Sequence, residues 1–400
     1  MVTFCVDKFI DGKPYPNLAT WQAAPYTPEW RKFSVNWPYS EPVHFFEYLD
    51  SHNIEYKFVE WTQANRSTLY PISISYFDFG IDWFKLLPTM IREKLRSKSL
   101  TLWFFYSEGD NPERILKHLH SQAVQYEIDP ALIQFVSANT SANDLPGFHY
   151  FADDECLYHL RNLDDGISFH DMPRNKKFTA LVRTHKWWRA TTMARIWRDG
   201  YYDQGYFSYN PAQTINDQEQ DNPIEIDSFE NLRSDTYRFL KYCPFVADDL
   251  DSDQHNAYAT TVPYHYSDSY LNIVLETHLD ADQSNGVFLT EKSFKPIKHC
   301  QPFIIFGPAG SIAQLKRMGY RTFDHVIDHS YDSIENNTER WNQCYQEFCR
   351  LVNSDLHAMY LSCHDDLLWN QRLFLSTKVD RLNTLLEQSL KYATTRKQLY

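Results

Sequence analysis

Short runs of apolar, β-branched and aromatic residues alternate with amphipathic stretches along most of this chain, and no other feature constrains its fold as strongly. Tyr56-Lys57-Phe58-Val59-Glu60, Ile72-Ser73-Ile74-Ser75-Tyr76, Leu102-Trp103-Phe104-Phe105-Tyr106 and Leu132-Ile133-Gln134-Phe135-Val136 read as strands. Residues 83–95 and 112–123 read as helices, the first open to a break at Pro88. The second begins well, with Asn111 as cap, Pro112 in the first turn and Glu113 at the positive helix end. A second alternating block predicts strands over 178–182, 270–275 and 302–306 and helices over 187–198, 290–299 and 310–318. Gly319 to Phe323 reads as a helix stop entering a strand, and Ser330-Tyr331-Asp332 as a following loop. Amphipathic helices are expected over 335–352 and 367–392; the stretch 211–253 is polar and acidic, and its run 216–222, with no apolar residue, suits a long loop or insertion. Strand–helix alternation predicts α/β architecture with parallel sheets covered by helices. The expected partition is an N-terminal α/β lobe over 1–172, a second over 173–375 and a closing helix over 376–400. Open α/β sheets take ligands at the carboxyl ends of their strands, so a site is expected there, between the lobes.

Composition removes several function classes. The chain has 11 Gly in 400 residues, under half the usual share of about 7%. Neither G-x-G-x-x-G nor G-x-x-x-x-G-K-[ST] occurs, which argues against a dinucleotide-binding Rossmann enzyme and a P-loop NTPase. The net charge of −13 repels nucleic acid and anionic membrane on average, so either partner needs a local basic patch. Seven widely spaced Cys without a C-x-x-C fit reduced thiols better than a disulfide framework or a zinc site. Residues 1–15 lack an apolar signal core, and no run approaches the ~18 apolar residues of a membrane span. A soluble, cytoplasmic protein is expected.

Two constellations carry chemistry in the second block. In Leu181-Val182-Arg183-Thr184-His185-Lys186-Trp187-Trp188-Arg189 a strand ends, and a basic turn leads into a helix. Arg183, Lys186 and Arg189 stand where a parallel sheet presents ligands, and arginine is a bidentate phosphate donor. The other constellation is Asn272-Ile273-Val274-Leu275-Glu276-Thr277, followed by Leu289-Thr290-Glu291-Lys292-Ser293-Phe294-Lys295-Pro296. Here a strand ends in Glu276, Thr290 caps a helix, and Glu291 and Lys292 fall in its first turn. Backbone N–H groups, the helix dipole and an ammonium suit a diphosphate there, and a nearby carboxylate suits ribose hydroxyls. The plainer alternatives are a solvated basic face and a capped helix with a surface Glu-Lys pair.

This strand–Arg turn–helix followed by strand–Glu, T-E-K and a strand ending in Gly307 resembles the donor-binding half of the α1,3-fucosyltransferase family and related bacterial and phage sugar transferases. The resemblance covers residues 176–330, with Glu276, Glu291, Lys292 and Arg189 in matching positions; Thr277 and Phe288-Leu289 depart from the family's Asn and Tyr-Val. It implies a GT-B fold, two Rossmann-like lobes facing a cleft, with a GDP- or UDP-linked sugar on the second lobe and no obligatory metal or other cofactor. Arg183, Lys186, Arg189, Thr290 and Lys292 would then bind the diphosphate, and Glu276 or Glu291 the ribose. Metal-free inverting transfer needs a base for the acceptor hydroxyl. Glu108 is the first candidate and Asp110 the second, although turn carboxylates there also suit capping of the Pro112 helix. The triplets Asp251-Ser252-Asp253 and Asp280-Ala281-Asp282 lie in acidic loops where chance supplies such pairs, so no metal is expected at Asp280 and Asp282. A glycan or lipopolysaccharide precursor is the expected acceptor. Hydroxymethylated bases of phage DNA are the alternative, and a non-catalytic nucleic-acid or glycan-binding module is the rival from another class.

Overall fold

A computed structural model of the chain describes residues 1–6, 8–10, 13–15, 49, 53–74, 77, 79–106, 108–152, 157, 160–161, 166–211, 232–247, 261–279, 286–376 and 379–395. Contacts divide it into two compact units, one comprising 1–158, 282–288 and 377–400, the other 159–281 and 289–376. Against the expected partition at 172, the division therefore falls at 158/159, and the C-terminal stretch groups with the first unit rather than standing alone.

In the first unit, β1 (Val2–Val6) is followed by a small hairpin, β2 (Lys8–Ile10) and β3 (Lys13–Tyr15). Then come β4 (Tyr56–Glu60), β5 (Thr68–Ile74), helices α1 (Trp83–Leu86) and α2 (Thr89–Arg96), β6 (Thr101–Tyr106), α3 (Pro112–Gln125), β7 (Ile133–Ser137) and β8 (Phe148–Tyr150). The order β4-β1-β5-β6-β7-β8 is parallel throughout. Strand direction of growth reverses between β1 and β5, a topological switch of the kind found in doubly wound sheets. Every residue of β6 and β7 is buried, as expected of strands covered on both faces. The stretch expected as one helix over 83–95 breaks at Leu87-Pro88, where Pro88 is the extended entry to α2.

The second unit holds β9 (Lys176–Val182), α4 (Trp187–Arg198), β10 (Gly205–Tyr209), α5 (Arg233–Leu240), α6 (Pro263–Ser267), β11 (Ser269–Leu275), α7 (Glu291–Lys298), β12 (Phe303–Phe306), α8 (Ser311–Arg317), α9 (Asn337–Val352), α10 (Leu356–Ser362) and α11 (His364–Leu375). Its sheet runs β10-β9-β11-β12, again all parallel. Because β10 grows to one side of β9 and β11 to the other, the switch lies between β9 and β11. Both basic constellations leave the sheet at that point.

Two local expectations are corrected. The stretch 320–323 is no strand: the Arg321 backbone bonds the Asn370 side chain on both its N–H (2.8 Å) and its carbonyl (2.7 Å) instead of a neighbouring strand. The run 216–222, expected as a long loop or insertion, lies outside the described residues, as do Asp251 and Asp253; farther along the same polar stretch, α5 buries Thr236 and Phe239. The helix expected over 367–392 is two, α11 and α12 (Val379–Thr395). Ser376 leaves α11 extended with no Gly or Pro to announce it, because the chain there passes to the first unit. In that unit α12 covers one face of the sheet: Trp103 Nε1 donates to Ser389 Oγ (3.1 Å) and Gln134 Nε2 to the Ser389 carbonyl (2.9 Å). Phe104, one residue on, points the other way against Trp83 of α1. Among the described residues no helix is long and apolar enough to cross a membrane.

Candidate functional site

At the β9/β11 switch the chain's charges fall into two sets, one buried in the framework and one reaching solvent. Glu276, directly after β11, is fully buried. Its Oε1 accepts from Thr290 N–H (3.1 Å) and Ser293 Oγ (2.5 Å), and its Oε2 from Thr290 Oγ1 (2.7 Å) and Thr277 N–H (3.0 Å). A helix N-terminus favours an anion, and at α7 the chain's own carboxylate supplies it. Arg189 is likewise inside, 3% exposed. Its Nε and Nη2 donate to the Glu276 carbonyl (3.0 and 2.6 Å) and its Nη1 to the Thr184 carbonyl (3.3 Å). A buried arginine with its fork on backbone carbonyls holds strand ends, a use the basic turn alone does not distinguish from phosphate binding.

The cations of the second set, Arg183, Lys186 and Lys292, reach solvent, while Glu291 beside them is buried. Arg183 is exposed. Lys186 Nζ donates to the Thr277 carbonyl (2.6 Å). Lys292 Nζ reaches Glu291 Oε1 (2.9 Å), Thr290 Oγ1 (3.2 Å) and Thr277 Oγ1 (3.4 Å), with 32% of its side chain accessible. Two lysines from two helix openings thus meet on one residue, Thr277. Thr290 also caps α7, its Oγ1 accepting from Lys292 N–H (3.4 Å). Burial disfavours the charge on Glu291, but the ammoniums of Lys292 and Lys295 outweigh it and hold the carboxyl below its usual range.

Between Arg183 and Lys186, His185 is buried, with Nδ1 2.5 Å from the Tyr209 hydroxyl. Burial lowers its pKa to about 4, so it is a neutral, positioned ring at pH 7 and not a proton shuttle. The unfolded chain binds this proton near pH 6.5. Stability is therefore full above pH 6.5 and lost as pH falls toward 4. His185→Gln is expected to reduce, without abolishing, the fall of the melting temperature between pH 7 and 4.5, because burial lowers the His149 pKa to about 4 as well. An unchanged acid slope would rule the His185 imidazole out as a contributor.

Several supports escaped the sequence reading. Arg340 is 2% exposed and donates from Nε to the Gly307 carbonyl (3.0 Å) and from Nη2 to the Leu279 carbonyl (2.5 Å), tying the exits of β12 and β11. A signal was present: Arg340 shares the apolar stripe of α9 with Trp341, Cys344 and Phe348. Asp332 caps α8, accepting from Ile312 N–H and Ala313 N–H (both 2.9 Å), because the α8 cap residue, Gly310, has no side chain. At Gly307 a Cβ would sit tightly, 3.1 Å from Ser311 Oγ and 3.2 Å from Ile305 Cγ2, and in ordinary contact with the Glu276 side chain.

In the first unit, Glu108 and Asp110 follow β6, one strand beyond the β1/β5 switch. Glu108 is exposed and its carbonyl accepts from Ser137 Oγ (3.3 Å). Asp110 does not cap α3. Asn111 does, its Oδ1 accepting from Glu113 N–H (3.0 Å) and Arg114 N–H (3.2 Å). Asp110 instead accepts the Tyr106 hydroxyl proton. Burial, then the Asp110 and Glu108 charges, push the Tyr106 phenol well above its usual range.

Asp280 and Asp282 lie outside the described residues. Among the described residues no group of three His, Cys, Asp or Glu is placed to hold a metal. No family model matches the chain, and no curated protein or solved structure matches it either.

Proposed function

We propose that the chain is a glycosyltransferase of the GT-B type that moves a sugar from a GDP- or UDP-linked donor to a hydroxyl of a glycan or lipopolysaccharide precursor. The observation that carries this reading is the meeting of Lys186 and Lys292 on Thr277, at the carboxyl edge where the second sheet reverses direction. Arg183, Lys186 and Lys292 neutralise the donor diphosphate. Glu291, beside Lys292, accepts from ribose hydroxyls. Glu276 and Arg189 hold the edge in shape from below, having their bonds inside the protein.

Glu108 takes the acceptor proton as the acceptor oxygen bonds to the anomeric carbon and the carbon–phosphate oxygen bond breaks. The electron pair leaves on the nucleoside diphosphate, where the cations stabilise it. No metal enters the step.

A thermal-shift panel of GDP, UDP, CMP and their sugars tests the donor. A ligand at about 100 times its dissociation constant adds about 2.7 kcal/mol of stability. The matching nucleotide sugar is also expected to release nucleoside diphosphate slowly without acceptor. No shift from any nucleotide and no release would overturn the reading, and a shift without release would leave a binding module.

A further inference from the structure

The Glu108–Asp110 turn is held at each of its three residues, and one of the holders arrives from far along the chain. Ser137 Oγ donates to the Glu108 carbonyl (3.3 Å), Asn139 Nδ2 to the Gly109 carbonyl (2.9 Å), and the Tyr106 hydroxyl to the Asp110 carboxylate. Over the remaining face of Gly109 lies the ring of Phe288, 2% exposed, in the space a side chain at 109 would fill. Gly109 is required here by space, not by backbone angle.

Phe288 is itself fixed on the same framework. It bridges Asn139 in antiparallel fashion. Thr140 N–H donates to the Val287 carbonyl (3.0 Å), and Val287 N–H to Thr140 Oγ1 (2.9 Å). A Cβ on Gly286 would overlap Asn139 Oδ1, so glycine lets the stretch lie flat against that side chain. Asn139 is fully buried and joins both sides: its amide nitrogen holds Gly109, and its Oδ1 accepts from Ser141 N–H (3.0 Å) and Ser141 Oγ (2.9 Å). The chain runs on from Phe288 through Leu289 to Thr290, the cap of the Lys292 helix.

We infer that Phe288 is a positioning residue for the Glu108–Asp110 turn, so that the placement of the base depends on the short stretch Gly286 to Phe288. This rests on the reading of Glu108 as base. A buried ring against a glycine is a rigid stop, and loss of it leaves the turn free to shift by the ångström that proximity catalysis does not tolerate.

Three proteins test it: wild type, Phe288→Ala and Phe288→Leu, the last keeping most of the apolar volume in case the first folds poorly. Hydrogen exchange without ligand is read over a peptide spanning 106–112 and another spanning α7. Phe288→Ala is expected to exchange about tenfold faster over 106–112 with α7 unchanged. It is expected to lower kcat for transfer by about 10- to 100-fold with KM for the nucleotide sugar within about twofold, and Phe288→Leu to restore most of kcat. Unchanged exchange over 106–112 overturns the positioning role, and so does faster exchange with an unchanged kcat. A wild type that releases no nucleoside diphosphate overturns the transferase reading instead, while the exchange arm still decides whether Phe288 holds the turn.

Discussion

Glu276→Ala is expected to lower the melting temperature of the second unit by roughly 6–12 °C, the largest single stability effect at the candidate site. The carboxylate is fully buried and accepts from Thr290 N–H, Thr290 Oγ1, Ser293 Oγ and Thr277 N–H. Alanine leaves those donors facing an apolar methyl. An orphaned buried donor costs about 1–3 kcal/mol, and a water entering the gap recovers part of the sum. A net loss near ~3 kcal/mol at about 2–4 °C per kcal/mol in a unit of this size yields the stated range. Glu276→Gln keeps the shape but puts an NH2 donor against these donors, so an intermediate loss is expected. Calorimetry decides the matter. An alanine variant melting within about 2 °C of wild type would remove Glu276 from the framework and return it to solvent-side duty such as holding ribose.

Lys292→Ala is expected to act mainly on catalysis, leaving the fold intact and lowering turnover by about 10- to 100-fold. The side chain is about one-third accessible, but its partner Glu291 (2.9 Å) is largely buried and keeps the Lys295 ammonium close by. The loss of the pair therefore falls between that of an exposed one, up to about 1 kcal/mol, and that of a buried one, about 3–5 kcal/mol. Its effect is spent on the departing diphosphate, at roughly 1.5–3 kcal/mol for a hydrogen bond to a charged group. Steady-state release of nucleoside diphosphate, alongside a melting curve, separates this from unfolding. Near-normal turnover would take Lys292 out of the mechanism and with it the cationic edge as the donor site. Together the two variants distinguish the framework charges from those that face a ligand.

That distinction was invisible in the linear chain. Arg189 and Lys292 both read as cations at helix openings, and Glu276 and Glu291 both as carboxylates near them. In the structure Arg189 and Glu276 are inside while Lys292 and Arg183 reach out. Spacing places a residue at the end of a strand, but whether its side chain turns inward depends on what other elements bring to meet it. Ser293 Oγ and Thr290 N–H come from a helix that begins 15 residues after Glu276. The Asp110 case is similar. Local reasoning offered it as a cap for α3, yet Asn111 sits at the better position, and the Tyr106 hydroxyl claims Asp110 across the strand exit.

The alternation of apolar runs and amphipathic stretches determined, by itself, the α/β class, the parallel strands, most element positions and the two turns that meet at the β9/β11 switch. These follow from local periodicity and capping, which act over a few residues and leave their mark in the order of side chains. The tertiary structure alone decided the strand order and hence the switch, the split of the C-terminal helices, the strandless 320–323 segment and the sorting of charges into buried and exposed. Each of these depends on which distant groups share a low-dielectric interior. There an unmatched charge is costly and a matched one is bound fast, and residue order carries no record of the match.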